Sequence, residues 1–187
     1  NRKQEQNSFY NAILNYGNAI INNGNFTSNA GSALWNETYK NNVATTTINN
    51  GIFISTFKIS WDPDVGAVHN KNAHMIINNG VFMGDDAAIY NNNTGSNTKL
   101  YIYNGKFSYT TKDNNKNPFT IYNCGYDYGT AEIHGGTFTG TWCIKDLQGY
   151  LYFYGGTCTQ NPDDRANIAD GYKVVDNGNG TWTVTKA

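Results

Sequence analysis

Charge is scarce in this chain. Asp, Glu, Lys and Arg together make up 14 % of 187 residues and nearly cancel, leaving a net charge of −1. No basic or acidic run is present, so nothing in the charge pattern courts nucleic acid or a charged membrane surface. Apolar runs are short as well. None approaches the roughly 20 residues that span a bilayer, which excludes helical membrane insertion as an expectation, and no signal peptide is visible. The chain starts at Asn1 without a Met, and the expectation is a piece of a longer protein whose export signal, if any, lies elsewhere. Cysteine occurs three times, at Cys124, Cys143 and Cys158. The number is odd, the positions are late, and there is neither a CxxC nor a nearby His, so neither a disulfide framework nor a zinc site is implied. Small buried fillers are expected instead. Arginine is limited to Arg2 and Arg165.

Asparagine, by contrast, fills about one position in six, and Gly occurs 20 times. Aromatics match the charged residues at 14 %, led by 14 tyrosines. Low charge does not mean disorder here, because Ile, Phe, Tyr and Val are spread along the whole length. The length suits one domain with a sizeable core.

One pattern recurs six times: apolar, any, apolar, any, Asn or Gly, Gly, any, Phe. Its copies run Ala19 to Phe26, Thr46 to Phe53, Met75 to Phe82, Leu100 to Phe107, Ala131 to Phe138 and Leu151 to Cys158. The glycines at 24, 51, 80, 105, 136 and 156 set a period of about 20 to 31 residues, the range of a solenoid. Alternation with period two makes the copies strands. Three inward columns follow. The first is Ile21, Ile48, Ile77, Ile102, Ile133 and Phe153. The second is Ala19, Thr46, Met75, Leu100, Ala131 and Leu151. The third is Phe26, Phe53, Phe82, Phe107, Phe138 and Cys158. The Asn-Gly or Gly-Gly pair marks a corner, and stacked Asn23, Asn50, Asn79 and Asn104 are expected to form an amide ladder. A second wall, Ala33-Leu34-Trp35-Asn36, Ala88-Ile89-Tyr90-Asn91, Thr120-Ile121-Tyr122-Asn123 and Cys143-Ile144-Lys145-Asp146, again ends in Asn or Asp, as a second corner would.

The expected fold is therefore all-β: a right-handed parallel β-helix of about six coils over residues 19–158. Residues 1–18, with Phe9, Ile13 and Leu14 at helical spacing, are expected to form a short N-terminal cap helix. Residues 159–187 are expected to be a linker and a C-terminal hairpin cap, turning at Asp176-Asn177-Gly178-Asn179-Gly180. Leucine-rich repeats lack the needed Leu frame here, and an antiparallel barrel would not put one residue type in register in every coil.

The corner at Ile133 to Phe138 and the closing stretch Gly171 to Val184 resemble the right-handed β-helix superfamily. That superfamily includes pectate-lyase-like enzymes, bacterial surface repeats and bacteriophage tail or head-fibre proteins. The closing stretch looks most like tails of secreted or surface proteins of gut bacteria and their phages. The resemblance covers about residues 19–184 and speaks for fold rather than activity.

It implies either of two functions. The favoured one is a non-catalytic structural or binding module of a bacterial surface protein or phage fibre or spike, located extracellularly, on the cell surface or virion. Its expected partner is a glycan or host-surface receptor, and no metal or organic cofactor is expected. The alternative is a polysaccharide-degrading enzyme, for which Asp85 and Asp86 in Gly84-Asp85-Asp86 are weak catalytic candidates. The N-T-D, G-H-G and R-I-K segments of such enzymes are missing, so a solvated corner is the plainer reading of this pair. Asp62, Asp64, Asp163 and Asp164 lie on acidic loop tips without the ligand count of a calcium loop. His69, His74 and His134 have no companion nucleophile.

By parity, Tyr101, Tyr103, Glu132, His134, Tyr152 and Tyr154 project outward from coils four to six. They form the expected ligand-binding patch, with sheet-stabilising tyrosine stacking as the competing role. In coils one to three the same positions read Ile20, Thr47, Ile76 and three asparagines. Exposed isoleucines there imply cover by a loop or a symmetry mate, and a homotrimer through the Ile20/Ile76 wall is expected.

Overall fold

Short segments with period-two alternation, broken every few residues by Gly or Asn, cannot build helices and instead build short strands. The computed structural model describes residues 10–57, 65–92, 98–111, 118–124, 129–147 and 150–187. Its strands come in triplets. The first is β1 (Ile13–Asn15), β2 (Asn18–Ile21) and β3 (Asn25–Ser28), and the second β4 (Leu34–Glu37), β5 (Thr45–Ile48) and β6 (Ile52–Ser55). Then follow β7 (Val68–Lys71), β8 (His74–Ile77) and β9 (Val81–Gly84), and β10 (Ala87–Asn92), β11 (Lys99–Ile102) and β12 (Lys106–Tyr109). β13 (Phe119–Asn123), β14 (Thr130–Ile133) and β15 (Thr137–Thr139) precede β16 (Ile144–Asp146), β17 (Leu151–Phe153) and β18 (Gly156–Cys158). A 3-10 turn at Pro162–Asp164 leads to β19 (Asn167–Ile168), β20 (Tyr172–Asp176) and β21 (Trp182–Lys186).

Each strand from β1 to β15 pairs in parallel with the strand three places on, so the chain winds as an all-β solenoid with three walls. First members of the triplets make a six-stranded sheet from β1 to β16, the first sheet. Second members make the second sheet, which β19 extends beyond β17. Third members make the third sheet, continued beyond β18 by the antiparallel strands β21 and β20.

The register places like on like. Phe26, Phe53, Phe82, Phe107, Phe138 and Cys158 are successive partners across the third sheet. Ile21, Ile48, Ile77, Ile102, Ile133 and Phe153 are successive partners across the second. The five phenyl rings stack at centroid separations of 5.0, 5.1, 4.8 and 4.9 Å. Full burial of such a ring contributes roughly 1.5–3 kcal/mol. Phe53, Phe82, Phe107 and Phe138 are at most 1 % exposed, whereas Ile13, Ile21 and Phe26 at the N-terminal end are only partly buried. At the other end Val184 joins the core, with Ile168, Tyr172 and Val174 packed against it.

The corner glycines let one coil sit on the next. Gly51 and Gly80 both have φ 141. A Cβ on Gly80 would lie 2.9 Å from the Phe82 ring and 3.0 Å from the Gly51 carbonyl oxygen, so a side chain is excluded both by conformation and by space.

Two amide ladders differ from expectation. Asn23, Asn50, Asn79 and Asn104 are not the ladder: the exposed one runs one residue earlier, from Asn78 Nδ2 to Asn49 Oδ1 and from Asn49 Nδ2 to Asn22 Oδ1, both 2.8 Å. These side chains leave the ends of β2, β5 and β8 in the outward column, in register along the axis, while the following residue already turns the corner.

The second ladder is buried and was not expected: it runs along the second wall, at the ends of the first-sheet strands, where the chain passes on to the second sheet. Asn36 and Asn91 are next to last in β4 and β10, Asn123 and Asp146 are last in β13 and β16, and their side chains meet along the axis. Asn15 donates to Asn36 (2.9 Å), Asn36 to Asn70 (3.0 Å), Asn70 to Asn91 (2.8 Å), Asn91 to Asn123 (2.7 Å) and Asn123 to Asp146 (2.9 Å). A spare amide hydrogen on Asn36 goes to the His74 carbonyl and one on Asn70 to the Ala73 carbonyl. The ladder also explains Thr46, a hydroxyl in an apolar column: its Oγ1 donates to Asn36 Oδ1 and accepts from Asn15 Nδ2, both at 2.9 Å. A buried polar group is tolerated when it is bonded in this way.

The expected N-terminal cap helix is corrected where the structure describes it. Ile13 and Leu14 belong to β1, a strand paired with β4. Ile13 keeps the inward parity of Leu34, so strand pairing and core contact together outweigh a helical spacing of three apolar residues. Phe9 lies outside the described residues.

Candidate functional site

The outward side of the second sheet is set by the core on its other side. Leu100 and Ile102, Ala131 and Ile133, and Leu151 and Phe153 are buried, so the residues between and after them face out. Tyr101, Glu132 and Tyr152 are direct register partners and form one outward column. Tyr103, His134 and Tyr154 form the next. The structure therefore brings all six residues together on one wall.

The rings of the second column are piled face to face. Tyr103 and His134 lie 5.1 Å apart at 17°, and His134 and Tyr154 lie 4.7 Å apart at 11°. Tyr101 is nearly parallel to Tyr103 at 6.5 Å, and Tyr172 closes the pile edge-on to Tyr154 at 5.5 Å and 84°. The ring faces are largely consumed by one another. What the strip offers to a ligand is edges and polar tips: phenol hydroxyls, the imidazole and the Glu132 carboxylate. Such a strip grips by hydrogen bonds along its length and leaves little ring face for a flat ligand to lie on.

The electrostatics are local. His134 Nε2, just past the end of β14, and Glu132 Oε2 on that strand are 3.2 Å apart. Lys99 Nζ sits 5.8 Å over the Tyr101 ring. A hydrogen bond to Tyr101 and the charge of that phenolate hold the Lys99 ammonium above its ordinary range. Burial, then the nearby Glu132 carboxylate, pushes the Tyr154 phenol up. Tyr103 is the most open ring of the pile, 48 % exposed.

The other sequence candidates are spread over the molecule. Asp85 and Asp86 are not a solvated corner: they are 5 % and 7 % exposed, in the link between β9 and β10, and Thr110 Oγ1 donates to Asp85 Oδ1 at 3.3 Å. Asp163 and Asp164 are exposed on the 3-10 turn. Asp62 and Asp64 lie outside the described residues. His69 is on the first sheet, His74 is on the second, and His134 follows the last residue of β14. Among the described residues no three His, Cys, Asp or Glu side chains gather as a metal would need, and no helix is long and apolar enough to cross a membrane. Ile20 is 71 % exposed, Thr47 and Ile76 are half-buried in the same column, and the exposed asparagine ladder runs beside them.

A second ring column went unread in the sequence. On the outward side of the first sheet Trp35, His69, Tyr90, Tyr122 and Lys145 are successive register partners. Ring centroids are 3.9, 4.7 and 5.2 Å apart, and Lys145 Nζ caps the Tyr122 ring at 4.5 Å. His69, Tyr90 and Tyr122 are buried at 2 %, 4 % and 8 % exposure, so this column is packing rather than open surface. The signal was present in Leu-Trp-Asn, Ile-Tyr-Asn and Ile-Tyr-Asn: the aromatic always stands between two inward residues.

Comparison of the chain with known protein families, curated proteins and solved structures returns no match in any of the three.

Proposed function

We propose that this chain is a non-catalytic structural and binding module of a bacterial surface protein or phage fibre or spike, displayed outside the cell or on the virion. In this reading the solenoid is a right-handed parallel β-helix of six coils, closed at its C-terminal end by the β20–β21 hairpin. The strip of Tyr101, Tyr103, Glu132, His134, Tyr152 and Tyr154 then contacts a glycan or host-surface receptor.

The observation that carries the reading is the pile of Tyr103, His134 and Tyr154, whose ring separations of 5.1 and 4.7 Å hold the polar tips in fixed register on a sheet. A ligand that binds such a surface orders few side chains, which favours weak polyhydroxylated ligands. Affinity for one site is modest, roughly −4 to −8 kcal/mol, and copies of the module raise it by avidity. A homotrimer through the wall carrying Ile20 and Ile76 supplies such copies and covers the exposed isoleucines.

The test is the double change Tyr103→Ala with Tyr154→Ala on a glycan array and in cell binding, with folding followed by circular dichroism. Loss of binding by a folded double variant supports the strip. Undiminished binding makes the pile a purely structural stack. Sedimentation of the chain at high concentration as a monomer counts against the trimer.

A further inference from the structure

At the N-terminal end the three sheets stop on the strands of the first triplet, β1, β2 and β3. The Gly17 and Ile21 carbonyls accept from the N–H of Thr45 and Asn49, on the β5 side. Parallel pairing turns alternate residues to opposite edges, so the N–H and C=O of Asn18 and Ile20 point away from β5. Among the described residues β5 is the one partner strand of β2. The edge is open. Ile20 is 71 % exposed, with Asn18 and Asn22 exposed on either side of it. The inward Ile21 is only partly buried, whereas its partner Ile48, one coil further in, is fully buried.

Edge strands ordinarily carry a charge or a proline that turns a further strand away. Residues 10–36 contain no Asp, Glu, Lys, Arg or Pro. The lack of charge favours one partner above others, an identical chain, because a two-fold contact sets each side chain against its own copy. The exposed amide ladder ends here too. Asn22 Oδ1 accepts from Asn49, and Asn22 Nδ2 has no acceptor among the described residues. The C-terminal end offers no matching face for head-to-tail stacking: antiparallel β21 and β20 finish the third sheet, and Ile144 of β16 is 1 % exposed.

We propose that the β2 edge takes the β2 edge of a second copy of this chain, antiparallel across a two-fold axis at Ile20. The Ile20 N–H donates to the Ile20 carbonyl of the second copy, and the reverse bond closes the pair. Asn18 then lies opposite Asn22 of the second copy, where an Asn22 Nδ2 donates to an Asn18 Oδ1. The two second sheets run on as one, and the two Ile20 side chains cover each other. This contact is end to end, unlike the side-to-side trimer, and does not rest on it.

The test is sedimentation equilibrium of the full chain, with amide hydrogen exchange followed by NMR. The expected result is a monomer–dimer equilibrium in which the Ile20 amide gains protection as concentration rises. Ile20→Lys, at an exposed position that tolerates it, should weaken association about a hundredfold by setting two ammonium groups face to face. An equimolar mixture with Ile20→Glu should restore association. Ile76→Lys, on the same wall but on the interior strand β8, should leave it unchanged. A monomer at every concentration overturns the proposal. So does a trimer, or equal loss of association in Ile76→Lys, either of which gives the contact to the side wall. Protection of the Ile20 amide that is independent of concentration also overturns it, because a segment of the same chain then covers the edge.

Discussion

Asn123 donates its side-chain amide to Asp146 at 2.9 Å, and that one bond fixes the polarity of the whole buried ladder. A carboxylate only accepts, so Asn123 must turn its Nδ2 toward Asp146 and its Oδ1 back toward Asn91. The same constraint passes down to Asn70, Asn36 and Asn15. Asn91→Ala therefore leaves one N–H of Asn70 Nδ2, whose other hydrogen stays on the Ala73 carbonyl, and Oδ1 of Asn123 without their partner. At about 1–3 kcal/mol each, the expected loss is roughly 2–6 kcal/mol. Asn49→Ala in the exposed ladder should change stability by no more than about 0.5 kcal/mol, since water replaces the lost amide. Urea unfolding of the two variants measures the contrast, as a fall in midpoint at unchanged slope.

Phe82 is fully buried between Phe53 and Phe107, with ring separations of 5.1 and 4.8 Å. Phe82→Ala removes two stacking contacts and opens a cavity in the middle of the column, which should cost about 3–5 kcal/mol. For a chain of this size the melting temperature should fall by roughly 6–20 °C. A thermal melt followed by circular dichroism reads it directly, and an unchanged curve would contradict the inward column.

Gly80 and Gly17 make a matched pair for substitution by alanine. At Gly80, φ 141 and a Cβ only 2.9 Å from the Phe82 ring predict a loss of about 1–3 kcal/mol. At Gly17 a Cβ meets nothing within 4 Å and φ is not in the region reserved for glycine. Gly17→Ala should be neutral or stabilising by up to about 1 kcal/mol, through the unfolded chain. Denaturant midpoints of the two variants should therefore move apart.

Cys143 and Cys158 are both fully buried, and burial pushes both thiols above their ordinary value of 9.0. In the native protein they stay protonated where the unfolded chain ionises. Their contribution to stability is complete below the unfolded value and is lost as pH rises through the folded ones. Above about pH 9 the unfolding free energy should fall by about 1.4 kcal/mol per pH unit for each thiol. Disulfide-exchange titration at pH 8 should label at most the half-buried Cys124 in the native chain, and all three cysteines after denaturation.

The repeat was legible because its signal is local: Ile-x-Asn-Gly-x-Phe states both strand parity and the corner, and Phe82 lands on Phe53 with no further information. The tyrosine strip was legible for the same reason, since parity alone turns Tyr103, His134 and Tyr154 outward. Its ring geometry was not, because near-parallel stacking depends on side-chain torsions that spacing does not encode. The ladder through Asn91 and Asn123 was not legible, because an asparagine at the end of a strand is already accounted for by its preference for turns. Their buried pairing depends on the carboxylate of Asp146 and on neighbouring amides that only the winding of the chain brings close. Ile13 and Leu14 were misjudged because three apolar residues fit both a helical turn and an edge strand, and the partner that decides, Leu34 of β4, is 21 residues away in sequence.

The buried ladder has a bearing on how such a chain can change length. Every interior rung receives one hydrogen bond from the coil before and gives one to the coil after, and the corner carbonyl of Gly51 meets Gly80 much as that of Gly80 meets Gly105. Duplicating or deleting a whole interior turn in the gene would therefore join a donor to an acceptor at the splice, whichever turn was taken. The terminal rung is the exception. Asp146 can receive but cannot pass on, so it marks the one place where the chain of amides must stop.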